Sequence, residues 1–166
     1  MAMVLTSENF SDGDYLSEEH VLSADYGFGC AGGNQSPQLS WSGAPEGTKS
    51  FAITCFDPDA PTGSGFWHWV VVNIPPHVTS LEKGAGNPGG KLPAGALQTR
   101  TDFGKPGYGG PCPPQGDHPH RYIFTVYAVS QEKLPVDADT SPAVVGFYLH
   151  FNTLAKASLM GLYKRR

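Results

Sequence analysis

Two carboxylates occur on a turn that the sequence makes stiff. Asp57 and Asp59 lie in the segment DPDAP, which ends at Pro61 and directly follows the apolar segment 51–56. The two prolines fix φ and bias the residues before them away from helix, so the carboxylates are held in place. Carboxylates held in this way can transfer protons or can orient and charge a histidine. A loop of two solvated aspartates in Asx turns is the alternative, and both stay open at this point.

His68 stands at the entry of the apolar segment 67–74. Strand alternation predicts that its side chain shares a face with Val70, Val72 and Ile74. A histidine on such a face is ordinarily a hydrogen-bonded core residue, and at a strand end it can also meet a ligand. The residues alone leave both interpretations open.

A second imidazole and a phenol lie at the start of another strand-like segment, 121–129. His120 and Tyr122 are two positions apart, so in a strand they face the same side. Arg121 points the other way and is predicted to form a structural ion pair or hydrogen bond. His118 lies in the preceding loop, where a solvated histidine is expected.

The loop before that strand contains GPCPPQG, residues 110–116. The glycines in and just before this segment, Gly107, Gly109, Gly110 and Gly116, can bring backbone N–H groups close to a ligand or form a concave anion-holding nest. Taken with the histidines, the tyrosine and Asp57, this loop predicts a small polar pocket in an apolar frame. Cys112 adds one thiol to the same loop.

The composition excludes several classes of protein. The 21 glycines and 15 prolines of the 166 residues argue against a mostly helical chain. With 16% charged and 39% apolar residues, disorder is not expected. The formal net charge of −4 argues against a nucleic-acid binder, which would carry a basic face. The length predicts a single domain over residues 1–166.

The apolar pattern predicts strands and one helix. The strand-like segments cover 39–41, 51–56, 67–74 and 121–129, and Val70-Val71-Val72 predicts a strand buried on both sides. Apolar residues at helical spacing from Val144 to Leu162 predict a C-terminal helix, with Ser141 as N-cap, Pro142 first and Gly161 near its end. The long Gly/Pro-rich stretch between residues 74 and 121 is predicted to be an ordered, packed loop with a short strand around 96–100.

Three cysteines, Cys30, Cys55 and Cys112, form an odd set without CxxC spacing. An odd number favours free thiols in a reducing compartment over a disulfide framework. The chain has no apolar run long enough to span a membrane and no visible secretory leader. We therefore expect a cytoplasmic location.

Four motifs, in order along almost the whole chain, resemble the phosphatidylethanolamine-binding protein family, which includes the Raf kinase inhibitor protein and plant flowering regulators. DPDAP with Trp67-His68, and GPCPPQG ending in HRY (120–122), are similar to its two signature segments. NQSPQLSW (34–41) and QTRTDFG (98–104) add two matches. The last of these, with GFYLHFN (146–152), is similar to the bacterial and archaeal branch.

The resemblance implies an antiparallel β-sandwich with Greek-key connections, a long Gly/Pro-rich loop and a C-terminal helix. It also implies a pocket for small phosphoryl-type anions such as phosphate, sulfate or phosphoethanolamine. By matching position, the ligand-binding residues are Asp57, His68, Gly110, Pro113, His120 and Tyr122, and the supporting residues are Asp59, Pro61, Trp67 and Arg121. The spacing of 115–119 departs from animal members, and Tyr148 and Phe151 are the candidates to replace the eukaryotic segment that borders the pocket.

Two functions from different classes compete. The first is a binding and regulatory module without cofactor, with a protein partner such as a kinase implied for related members and a homodimer compatible with a small sandwich. The second is a hydrolase or metal-dependent enzyme that uses Asp57, His68 and His120, or Cys112 as a thiol nucleophile. No HExxH spacing and no GxSxG elbow accompany these residues, so the sequence favours the binding module without a metal.

Overall fold

Two antiparallel sheets and a covering helix make up the computed structural model, which describes residues 2–166. The smaller sheet has the order β1-β2-β5, and the larger sheet has the order β6-β4-β3-β7-β8. The strands are β1 (Val4–Thr6), β2 (Leu39–Ser42), β3 (Ser50–Asp57), β4 (Phe66–Ile74), β5 (Ser80–Leu81), β6 (Leu97–Gln98), β7 (His120–Val129) and β8 (Thr153–Tyr163), and the helix is α1 (Pro142–Asn152). Two single 3-10 turns cover Glu18–His20 and Ala24–Tyr26. The predicted mainly β sandwich is confirmed.

The main core lies between the two sheets. Leu39 and Trp41 of the small sheet pack with Ile53, Val71 and Phe124 of the large sheet. A second core lies on the outer face of the large sheet, beneath α1. Because the large sheet is covered on both faces, its central strands are apolar on both sides.

The predicted strand buried on both sides is confirmed. Val71 belongs to the core between the sheets, whereas Val70 and Val72 pack beneath α1 against Val145 and Leu149. The three valines are almost completely buried. β-Branched side chains suit such a strand because they pack well against a pleated surface.

The long Gly/Pro-rich stretch is ordered, as predicted. It contains the short strands β5 and β6, and β6 falls within the segment where a short strand was expected. Leu81, Ala85 and Tyr108 anchor the stretch in the main core. A loop with buried apolar anchors is part of the packed structure, although it has little regular secondary structure.

The prediction of a helix that continues to Gly161 is wrong. The helix begins as predicted, since the Ser141 side chain accepts a hydrogen bond from Val144 N and Pro142 takes the first turn. It ends at Asn152, and β8 follows at once, paired with β7 from His120↔Tyr163 to Val129↔Thr153. Tertiary pairing with a long central strand thus overrides the helical spacing of 153–162. No helix within residues 2–166 has the length and apolar character needed to cross a membrane.

The prediction of three free cysteines is also wrong. Cys30 and Cys112 form a disulfide across a sequence separation of 82 residues, with their Cα atoms 5.9 Å apart. Cys55 stays free and buried in β3. The odd count arises because the third cysteine is a core residue. A cytoplasmic location stays a prediction, and the cysteines no longer support it because disulfides persist mainly in oxidising compartments.

We expect reduction of this disulfide to destabilise the protein. A cross-link over so long a loop restricts the unfolded chain, so its loss should lower the free energy of unfolding by about 2–4 kcal/mol. Thermal melts with and without dithiothreitol measure the change, and the Cys30→Ser/Cys112→Ser variant serves as a control that the reductant must not affect. Alkylation of unreduced, denatured protein should modify Cys55 alone; modification of all three cysteines would contradict the cross-link.

Candidate functional site

A cavity of about 190 Å³ opens at one edge of the large sheet. Since β3 is antiparallel to both β4 and β7, the end of β3 meets the beginnings of its two neighbours at this edge. Three chain segments remote in sequence therefore meet at the cavity. Seven of the residues singled out from the sequence line it: Asp57, Pro61, His68, Cys112, Pro113, His120 and Tyr122.

His120 is held between two carboxylates. Its Nδ1 lies 2.8 Å from Asp57 Oδ2 and its Nε2 lies 2.9 Å from Asp117 Oδ2. Because carboxylates accept hydrogen bonds, both ring nitrogens must carry hydrogen, which is the imidazolium form. Burial alone would lower the pKa of His120, but the hydrogen bonds and charges of Asp57 and Asp117 outweigh burial and raise this pKa above its ordinary value. His120 is therefore a buried cation at neutral pH.

His68 has the opposite environment. Its Nδ1 lies 2.7 Å from the carbonyl oxygen of Gly109, so Nδ1 donates and Nε2 is left for the cavity. Burial lowers the pKa of His68, and the Gly109 carbonyl and the charge of Asp57 only partly oppose this. At neutral pH, His68 therefore offers an acceptor at Nε2, and it becomes a donor there only in acid.

The predicted face of His68 is wrong, because β4 contains a bulge. Cys55 pairs with Trp69 and Phe56 pairs with Trp67, so His68 is an extra residue without a partner in β3. A bulge re-aims the side chains on one side of it. His68 thereby leaves the face of Val70 and Val72 and meets Tyr122, with 5.3 Å between the ring centroids.

Tyr122 forms the floor of the cavity beside both histidines. It is almost completely buried, and it continues into the core between the sheets. Burial, and next the negative charge of Asp57, raise the pKa of Tyr122 far above its ordinary value. Its hydroxyl therefore keeps its proton and can donate a hydrogen bond at any physiological pH.

Asp59 and Arg121 fasten the carboxylate turn to β7. Asp59 Oδ2 accepts hydrogen bonds from the backbone N of Arg121 (2.8 Å) and from Nε (3.0 Å), and Oδ1 accepts one from the guanidinium (2.9 Å). These hydrogen bonds lower the pKa of Asp59 to about 2. In turn, the backbone N of Asp59 donates to Asp57 Oδ1 at 2.7 Å, so the fastened turn also fixes the carboxylate in the cavity.

Gly110 and Trp67 do not line the cavity. The backbone N of Gly110 donates to Asn34 Oδ1 at 2.8 Å, and a Cβ at this position would collide with the backbone of His20. The backbone N of Gly109 donates to His68 O at 3.0 Å. These two N–H groups are thus engaged within the protein, and the anion nest suggested by the glycines is not found there. Trp67 lies on the outer face, stacked on Phe56.

Tyr148 and Phe151 do not border the cavity either. Both belong to α1, which covers the opposite face of the large sheet. Instead, Phe28, Phe66 and Phe103 form an apolar wall. Sequence reasoning missed Phe28 and Phe103 because nothing in the sequence pairs their loops with the strand ends, and it missed Phe66 because the predicted strand began one residue later, at Trp67. It also missed Asp117, although its spacing of three residues from His120 was a usable signal.

Comparisons with known proteins agree with the fold. The sequence model of a family described as phosphatidylethanolamine-binding protein matches residues 6–164. The chain is 52% identical to the UPF0098 protein YbhB of Escherichia coli, over 97% of this chain and 99% of that protein. The crystal structure of E. coli YbcL, described as a new member of the mammalian PEBP family, superposes with a TM-score of 0.95 at 54% identity and full coverage of both chains. A putative homologue from Chlamydia trachomatis has a TM-score of 0.82 at 31% identity, over 99% of both chains.

We expect Asp59→Asn to weaken the fold in a pH-dependent way. Because the folded protein holds the pKa of Asp59 at about 2, below the ordinary value near 4, its ionised form stabilises the fold above about pH 4. This contribution disappears as the pH falls to about 2. Urea unfolding should show the variant less stable by about 1 kcal/mol at neutral pH and equal to wild type in acid. A difference in the free energy of unfolding that stays constant over this pH range would contradict the ion pair. Glu46→Gln, which removes a carboxylate at an exposed position, is the matched control.

Proposed function

The chain belongs to the phosphatidylethanolamine-binding protein family, and we propose that its cavity binds the phosphoryl group of a small ligand such as phosphate or a phosphoethanolamine-like head group. Family membership itself supports a ligand-binding protein. The choice of a phosphoryl anion rests on the charges and hydrogen-bonding groups that line the cavity.

The buried imidazolium of His120 is the observation that carries this proposal. Its ring is only 1% exposed, yet it is positively charged because Asp57 lies 2.8 Å away. A buried cation at the wall of a largely apolar cavity interacts strongly with an anion, since little water screens the charge. Charge-assisted hydrogen bonds from such a group to phosphoryl oxygens are among the strongest that a side chain makes.

The remaining polar groups suit an acceptor-rich ligand that keeps one proton or carries an amine. The hydroxyl of Tyr122 donates to an oxygen, whereas Nε2 of neutral His68 accepts from a P–OH or an ammonium. Asp57 repels a bare anion, but it keeps His120 charged and can meet an ammonium group on a zwitterionic ligand. Phosphate and phosphoethanolamine both match this set of donors and acceptors better than a simple carboxylate does.

The structure offers little support for the alternative enzyme. Cys112 is half of a disulfide and has no thiol, so its proposed role as a nucleophile is contradicted. Within residues 2–166, no group of three or more His, Cys, Asp or Glu side chains is placed to hold a metal ion. His120 also has both ring nitrogens bonded to carboxylates, which leaves it no lone pair for a metal.

A regulatory role through a protein partner such as a kinase is a finer proposal, and family membership alone supports it. No residue of the cavity specifies such a partner. A homodimer also stays a prediction.

The proposal predicts that sulfate affinity falls as pH rises. Sulfate keeps a constant charge between about pH 5.5 and 8.5, whereas a phosphate monoester changes its charge near pH 6. His68, with its lowered pKa, loses its second proton first, and His120, with its raised pKa, loses its proton at higher pH. The groups that face His120 are Asp57, Asp117, His118, His68 and Tyr122. Isothermal titration calorimetry should show that sulfate binds at least about tenfold more tightly at the acidic end of this pH range than at the basic end.

Three variants separate the contributions of His118, Tyr122 and His120 to sulfate binding. His118→Gln removes the exposed histidine beside His120 and should keep the pH dependence of sulfate affinity seen in wild type. Tyr122→Phe removes one buried hydroxyl and should weaken sulfate binding about tenfold while keeping the pH dependence. His120→Gln should abolish the part of the pH dependence of sulfate affinity that comes from the loss of the His120 proton. Equal sulfate affinity at both ends of the pH range in wild type would refute the proposed function.

A further inference from the structure

Asp117 occupies the donor of His120 that an anion would need. His120 has two N–H groups, and Nδ1–H is committed to the buried carboxylate of Asp57. Its only other N–H, on Nε2, donates to Asp117 Oδ2 at 2.9 Å. In the ligand-free protein, therefore, both donors of the buried cation are taken by carboxylates of the chain itself.

The two carboxylates are held very differently. The Asp57 side chain is 3% exposed, and its other oxygen accepts a hydrogen bond from Asp59 N. The Asp117 side chain is 36% exposed, and within residues 2–166 its carboxylate has His120 as its only hydrogen-bond partner. Asp57 is thus a fixed part of the wall, whereas Asp117 can leave with little loss of other contacts.

The backbone around Asp117 allows such a movement. Asp117 follows Gly116, which has a φ of 89° with open space around it, and the Asp117 backbone N closes a turn to Pro114 O at 3.2 Å. The carboxylate therefore projects from an exposed turn whose preceding glycine tolerates large changes of φ and ψ. Removal of the Asp117 side chain from His120 needs no change in β7 or in the core.

We propose that Asp117 is a built-in competitor for the ligand: its carboxylate caps His120 Nε2 in the empty cavity and must swing out for a phosphoryl group to bind. This inference rests on the proposed function and identifies what limits its affinity. When a ligand binds, its anionic group replaces the Asp117 carboxylate on His120 Nε2. A ligand with a single carboxylate therefore gains little binding free energy, because it replaces a contact of the same kind. A phosphoryl group has further oxygens for Tyr122 and the cavity, and it can therefore outcompete Asp117 where a simple carboxylate cannot.

The competition has a direct test in Asp117→Asn, which keeps the size of the side chain and removes its charge. A neutral amide oxygen is a weaker acceptor from an imidazolium than a carboxylate is. At about pH 6, where His120 stays protonated without Asp117, sulfate and inorganic phosphate should bind Asp117→Asn about 3- to 10-fold more tightly than wild type. Acetate should gain by about the same factor as sulfate, because a competitor on the protein lowers the affinity of every ligand for His120 equally, and acetate should stay the weaker ligand.

Controls separate this effect from net charge and from the side chain itself. Glu46→Gln removes one exposed negative charge beyond the far end of β3 and should leave both affinities unchanged. Asp117→Ser, which shortens the side chain, should bind sulfate at least as tightly as Asp117→Asn. Histidine ring nitrogen NMR signals should show His120 protonated in wild type both with and without sulfate, as expected when one acceptor replaces another.

The outcomes distinguish the inference from the function on which it rests. Tighter binding by Asp117→Asn and not by Glu46→Gln supports the inference, even if wild type binds too weakly to measure. Equal or weaker binding by Asp117→Asn, or the same gain in Glu46→Gln, overturns the inference, while pH-dependent sulfate binding by wild type would leave the proposed function intact. No sulfate or phosphate binding by wild type or by either Asp117 variant overturns both.

Discussion

The buried pair of Asp57 and His120 is the interaction on which the site depends. It joins the last residue of β3 to the first residue of β7, and neither side chain is exposed by more than 3%. Removal of one partner from such a pair leaves an uncompensated buried charge at a cost of about 3–5 kcal/mol. The pair is tolerated because each member has further partners, Asp59 N for the carboxylate and Asp117 for the imidazole. The same contacts that satisfy the charges also fix the geometry of the cavity.

One carboxylate thereby gives two histidines of the same cavity different charges. Asp57 bonds directly to His120, so hydrogen bonding outweighs burial and this histidine stays cationic. His68 receives only the longer-range charge of Asp57, and its Nδ1 faces a neutral carbonyl, so burial prevails and it stays neutral. The cavity therefore contains a fixed cation and an acceptor side by side. A mixed surface of this kind is chemically complementary to a ligand that combines acceptor oxygens with a proton donor.

The sequence predicted the central strands and the carboxylate, imidazole and phenol side chains of the cavity, because both depend on local pattern and on motifs. It failed where a tertiary interaction decides between local alternatives. Residues 153–162 have helical spacing, but pairing with β7 makes them a strand. His68 has the alternation of a regular strand, but a bulge opposite Cys55 and Phe56 turns it to the other face. The disulfide was missed because counting cysteines cannot show that Cys55 is buried alone.

The cavity has one wall of strand ends and one wall of loops, and the loop wall must be ordered before a small ligand can gain affinity from it. The disulfide joins the segment that contains Phe28 to the segment that contains Pro113. Asn34, with a left-handed φ of 53°, adds a side-chain bridge to Gly110 N, and Leu22 N donates to Pro111 O. The entropy cost of ordering this wall is thus met when the protein folds. Asp117 lies just beyond these ties, so its partly exposed carboxylate is attached to a wall that the disulfide and these hydrogen bonds hold in place.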